Sequence, residues 1–139
     1  MAIELVELCT IDAVLSEPIV VGDGPSGTRM IFELLESTVT GDRFSGTQIG
    51  RASADWVTIS GTVGTLDVRA TIQTHDGAIV FASYLGRVDL THGPGSSPIF
   101  VAPLFETADD RYRWLNTIQG VGKGSLDGTA LHYEWYELR

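Results

Sequence analysis

Thr65-Leu66-Asp67-Val68-Arg69-Ala70-Thr71-Ile72-Gln73-Thr74 alternates without a break. Leu66, Val68, Ala70 and Ile72 share one side; Asp67, Arg69, Thr71 and Gln73 share the other. A period of two marks a β-strand with one face buried. The polar side sets a carboxylate beside a guanidinium in a chain that uses few cations. Two readings follow: an exposed salt bridge, or the polar lining of a cavity inside a β-barrel.

This run leads into His75-Asp76-Gly77 and then Ala78–Leu90. Asp-Gly between two strand-like runs is a hairpin turn, because glycine supplies the positive φ that the turn needs. Similar turn chemistry recurs at Gly22–Gly27, Thr40-Gly41-Asp42, Ser60-Gly61, Thr91–Gly95 and Leu126-Asp127-Gly128. Between the turns lie β-prone segments: Ile3–Ile11, Ile19–Val21, Arg29–Val39, Phe44–Ile49, Asp55–Ser60, Leu66–Thr74, Ala78–Leu90, Ile99–Glu106, Asn116–Lys123 and Ala130–Leu138. Met30–Glu36 also carries helical spacing, and the surrounding glycines and Thr38-Val39-Thr40 favour a strand. Thr107–Leu115 fits one helical turn capped by Asp109 or Asp110.

Strands at this spacing indicate an all-β sandwich or barrel. Closure removes exposed strand edges, so the expectation is a single antiparallel closed β-barrel over residues 1–139, calycin- or lipocalin-like, with about 8–10 strands. At most one short helical turn accompanies them. The interior of such a barrel is either filled by side chains or open to one small ligand.

The composition narrows partners. The chain has 139 residues, 43% of them hydrophobic, enough for one core without disulfides or metal. Eighteen acidic residues against nine basic ones give a formal charge of −9, which repels nucleic acid and anionic lipid. Lys123 is the only lysine. The lone Cys9 excludes an intrachain disulfide, and its apolar setting reads as a buried structural thiol. No cationic-then-apolar leader opens the chain, and no apolar run approaches the roughly 20 residues of a membrane span, so a cytoplasmic location is expected.

Several fragments occur in a recognisable order. They are Gly27-Thr28-Arg29, Gly41 and Gly46, Ala54-Asp55-Trp56, Leu66-Asp67-Val68-Arg69, Asp76-Gly77-Ala78 and Tyr84-Leu85-Gly86. Phe105-Glu106-Thr107, Arg111–Asn116 and Tyr133-Glu134-Trp135-Tyr136 follow. Together they resemble the small bacterial family known as domain of unknown function 3237, over nearly the whole chain. The resemblance implies a homo-oligomeric barrel of this size with a polar and aromatic interior, and no assigned chemistry.

That implied interior places Asp67 and Arg69 in the lumen as catalytic candidates; the alternation alone leaves the two faces open. Two residues apart on a strand, they would project together, about 6.5–7 Å apart at the backbone. Asp55 and Trp56 are strand neighbours, so only one of them faces inward: a second carboxylate for catalysis or a flat apolar wall. Tyr112, Trp114 and Asn116 converge as a hydrogen-bonding ligand wall if their segment is extended. Tyr84 and Tyr133, in alternating strands, are either core aromatics or ligand contacts, and Arg29 joins the ligand-binding candidates. The three histidines, His75, His92 and His132, lack metal-ligand spacing, so neither metal nor cofactor is expected. Gly120-Val121-Gly122-Lys123-Gly124 lacks the spacing and the following helix of a phosphate loop and reads as strand and turn.

Three functions fit. The first is a cofactor-independent enzyme moving protons (an isomerase, lyase or cyclase) on a small, partly apolar substrate, with Asp67 or Asp55 as acid or base and Arg69 steadying negative charge. The second is a non-catalytic carrier or sensor of a small hydrophobic acid anchored by Arg69. The third is a filled structural barrel serving oligomerisation or protein interaction.

Overall fold

A computed structural model describes all of residues 1–139. Its strands are β1 (Leu5–Leu15), β2 (Ile19–Gly24), β3 (Gly27–Thr40), β4 (Gly46–Gln48), β5 (Ala54–Ser60), β6 (Val63–Thr74), β7 (Ile79–Asp89), β8 (Ile99–Val101), β9 (Leu104–Glu106), β10 (Gly120–Asp127) and β11 (Ala130–Leu138). One 3-10 turn, Arg113–Thr117, is the sole helical element. Eight strands close a ring in the order β6-β5-β3-β1-β11-β10-β8-β7, and β7 pairs back onto β6 along its whole length, from Val63↔Asp89 to Gln73↔Ile79. Every pairing is antiparallel, and β2, β4 and β9 add short stretches outside the ring. No helix is long and apolar enough to cross a membrane.

The Asp-Gly turn forms as expected. Gly77 has φ +94°, and the Thr74 N–H donates to the Ala78 carbonyl at 2.8 Å. Met30–Glu36 is strand throughout, since β3 must reach β5 at one end and β1 at the other. Ile99–Glu106 is two strands, because Ala102-Pro103 breaks the run and proline cannot donate to a ladder. Asn116–Lys123 is not one strand: Asn116 sits in the 3-10 turn and β10 begins at Gly120. Neither Asp109 nor Asp110 caps that turn, whose first flanking residue is Tyr112.

The lumen is filled at one end and open at the other. Leu66, Val68, Ala70 and Ile72 point inward, all buried, and Val80, Ala82 and Tyr84 of β7 join them. Towards the closed end, Phe105 packs edge-on against Phe44 at 5.8 Å and tilted against Trp135 at 5.7 Å between ring centroids, and Leu115 is fully buried beside them. Tyr84, Tyr133 and Trp135 form a second aromatic layer above this plug, with centroids 5.2–6.1 Å apart. Each such contact adds about 0.5–1.5 kcal/mol beyond simple burial.

The aromatic layer fits because β10 presents no side chains to the lumen along Gly120–Gly124; its one inward side chain, Leu126, lies further on, at the cavity wall. Gly120, Gly122 and Gly124 occupy the inward positions of that stretch. A Cβ on Gly124 would collide with Cδ1 and Cε1 of Tyr133, and one on Gly122 with Cδ1 of Trp135, whose Nε1 would lie 2.9 Å away. We therefore expect Gly124→Ala and Gly122→Ala each to destabilise the barrel by about 1–3 kcal/mol in denaturant unfolding, since a rigid ring must leave its rotamer. An alanine at exposed Gly24, where nothing lies within 4 Å, serves as the neutral control.

Candidate active site

The open end contains a cavity of about 150 Å³. Its walls are apolar, built by side chains such as Met30, Phe32, Val57, Leu66 and Val88, and its two polar residues are Asp55 and Tyr133. Asp55 lies inward on β5, 9% exposed; register opposes it to Val68, which is itself opposed to Tyr84 on β7. One lumenal row thus carries Asp55, Val68 and Tyr84 across three strands.

The β5–β6 ladder opens beside this carboxylate. Pairing runs through Ala54↔Arg69 and Asp55↔Val68 and resumes at Thr58↔Thr65. In the interval the Asp67 N–H donates to Oδ1 of Asp55 at 3.1 Å, and the Trp56 carbonyl accepts from Nη1 of Arg29 at 3.1 Å. Oδ2 of Asp55 takes no hydrogen bond from the protein. Burial pushes the Asp55 carboxyl up to about 7; the Asp67 N–H opposes that rise and the Asp67 charge adds to it. Burial likewise holds the hydroxyls of Tyr84 and Tyr133 well above their ordinary range, and the Asp55 charge raises both further. The Tyr133 hydroxyl is buried without a hydrogen-bond partner. An acid titrating near neutrality beside an unpaired phenol in an apolar cleft has the properties required for proton transfer.

The structure corrects several sequence expectations. Asp67 and Arg69 face outward, because the apolar row of β6 recovers more free energy in the lumen than a carboxylate and a guanidinium stripped of water. They form no salt bridge; the Arg69 guanidinium lies over the Trp56 ring, 5.3 Å from its centroid, on the outer wall. Trp56 is therefore outside and Asp55 inside. Arg29 is also on the outer wall, committed to the Trp56 carbonyl.

Tyr112, Trp114 and Asn116 do not converge, because their segment is a 3-10 turn at the closed end. Tyr112 donates to Oδ1 of Asp76 at 2.8 Å, Trp114 lies under the Arg43 guanidinium at 5.0 Å, and exposed Asn116 clasps the Thr107 backbone through both amide atoms. They tie down the strap that closes the barrel floor. Tyr84 and Tyr133 do reach the interior. Cys9 is buried, with its thiol pushed up to about 12 by burial, which suits a structural role.

The clearing made by the β10 glycines is an addition to the sequence expectations, and glycine at every second position of a strand is its legible signal, since it empties one face.

The buried acid affects stability. Folded Asp55 keeps its proton up to about pH 7, whereas the unfolded chain releases it near the ordinary value of 3.8. The folded state binds the extra proton between these values, so this group's contribution to stability falls as pH rises through that window and is level above it. Asp55→Asn removes the penalty: at pH 8 it should be more stable than the parent by on the order of a few kcal/mol, and at pH 4 nearly equal, by urea denaturation. An equal difference at both pH values would show that Asp55 titrates normally.

The same architecture occurs in solved structures. A β-barrel-like protein from Acinetobacter baumannii superposes with TM-score 0.89 at 23% identity, covering 100% of this chain and 98% of that one. A protein of unknown function from Clostridium acetobutylicum gives 0.91 at 19% identity, covering 99% and 100%. An enzyme from Penicillium herquei gives 0.76 at 20% identity, covering 99% and 94%. At these identities the likeness is one of fold. No curated protein matches the sequence. The family model described as protein of unknown function (DUF3237) matches residues 3–138, and the chain belongs to that family.

Proposed function

We propose that this protein is a cofactor-independent enzyme of isomerase, lyase or cyclase type, acting by proton transfer on a small, partly apolar substrate held in the open half of the barrel. The observation that carries this reading is the single carboxylate on an otherwise apolar cavity wall, with Oδ2 unengaged and its titration moved to about 7. Near neutral pH such a group exists in both forms, so it can give a proton to one substrate atom and take one back from another. Tyr133, which stays protonated, is placed to donate to an oxygen on which negative charge develops. The Penicillium herquei enzyme lends support, since a barrel of the same fold is described there as a catalyst.

The carrier of a hydrophobic acid loses its anchor with Arg69 on the outer wall. The filled barrel describes only the plugged end.

Turnover on a panel of small metabolites, followed by mass spectrometry, tests the proposal. Asp55→Asn should lower kcat by about 10²- to 10⁴-fold, the usual contribution of a general acid–base, while the protein stays folded. The kcat/KM profile of the parent should inflect near pH 7, as the free carboxyl does. Arg69→Gln, on the outer wall, should leave turnover within about two-fold and cost no more than about 1 kcal/mol through the lost contact with Trp56. Undiminished turnover in Asp55→Asn would end the assignment.

A further inference from the structure

The chemical class of the molecule that fits this cavity follows from the side chains its wall lacks. Of nine cations in the chain, none lies on the cavity wall, and no histidine does. Six of the eight arginines are engaged elsewhere: Arg43 and Arg139 with Glu137, Arg111 with Asp76 and Asp109, Arg113 with Asp110, Arg29 and Arg69 around Trp56. An anionic ligand would meet the Asp55 carboxyl, and Asp67 behind it, with no compensating charge. Burying an unpaired charge is among the most costly events in a protein interior.

A cationic head fits poorly as well. An ammonium carries three donors, and besides Asp55 only the hydroxyl of Tyr133 is at hand; every other lining residue is apolar. A hydroxyl matches the pair. It donates one hydrogen bond to Oδ2 of Asp55 and accepts one from the Tyr133 phenol, which satisfies one of the two buried donors that the protein leaves unpartnered. The size of the cavity, about 150 Å³, is that of a dry protein cavity able to take up a benzene-sized molecule.

On the reading that this cavity is the active site, we infer that it takes uncharged apolar molecules of roughly one six-membered ring whose inward end is a hydroxyl, and that it rejects the corresponding carboxylates and ammonium ions. A carboxylate is rejected by the lone buried acid in the absence of any counter-charge, and an ammonium by the shortage of acceptors for its three donors. The wall therefore filters by charge and hydrogen bonding as well as by shape.

Four probes of one size separate the possibilities: benzyl alcohol, toluene, benzoate and benzylamine, titrated calorimetrically into the intact protein at pH 8. Benzyl alcohol should bind about ten-fold tighter than toluene, the worth of roughly one satisfied hydrogen bond, and about ten-fold or more tighter than benzoate. Benzylamine should also fall below the alcohol. In Asp55→Asn, which keeps the shape without the charge, the gap between alcohol and benzoate should shrink to about three-fold or less. Benzoate or benzylamine binding tightest to the parent would overturn the charge assignment while leaving the cavity as a ligand site. Toluene matching the alcohol would overturn the role of the hydroxyl. No binding by any of the four would instead overturn the cavity reading beneath both.

Discussion

The pairing of β6 with its neighbours around Val68 is the constraint on which the rest depends. In a closed antiparallel barrel, parity on one strand sets parity on all of them, because residues directly opposite in register point to the same side. With Val68 inward, Asp55 on β5 and Tyr84 on β7 are inward too. The same step turns Trp56, Asp67 and Arg69 outward. A slip of one residue in this pairing would exchange the apolar lumen for a charged one. The acid in the cavity is thus a consequence of where the aliphatic side chains of β6 must go.

Given that parity, Asp55 carries a cost that the fold reduces only in part. A carboxyl on an apolar wall either loses its proton into a poor solvent or keeps it. Here the ladder opens by a pair, so that one backbone N–H turns from a facing carbonyl to Oδ1, and Arg29 covers the carbonyl left behind. One hydrogen bond is too little to restore an ordinary titration, and the group stays poised near neutrality. Sites held at some cost to stability by the surrounding packing are where function concentrates.

Much of this was legible in the residues. Alternation, Asp-Gly turn chemistry and glycine spacing indicate a closed antiparallel barrel, and Ala130–Leu138 is bounded in the structure as in the sequence. Cys9 reads as buried from its apolar neighbours, and it is. Alternation cannot say which row enters the lumen, because both rows of β6 have the same period and only the packing of all eight strands decides. Tyr112, Trp114 and Asn116 were misplaced for a similar reason: a five-residue segment has too short a period to tell extended from helical. Asp55 was visible only as half of an ambiguous pair with Trp56, and the Tyr133 environment depends on its cross-strand partner Gly124, a pairing that only the register of β10 with β11 reveals.

The two ends of the barrel divide the work. At the closed end, the salt-bridged and hydrogen-bonded strap around Asp76, Arg111 and Tyr112 sits over a plug of interlocking rings. At the open end the walls are aliphatic and the floor is the aromatic layer of Tyr84 and Tyr133. The glycine face of β10 links them: by giving up side chains at three inward positions it lets Tyr133 and Trp135 lie flat across the lumen, which both completes the plug and makes a floor with a phenol in it. Restoring side chains on β10 would push those rings upward into the space beside Asp55. The cavity therefore owes its depth to the absence of side chains on a strand that does not itself contribute a polar group to the site.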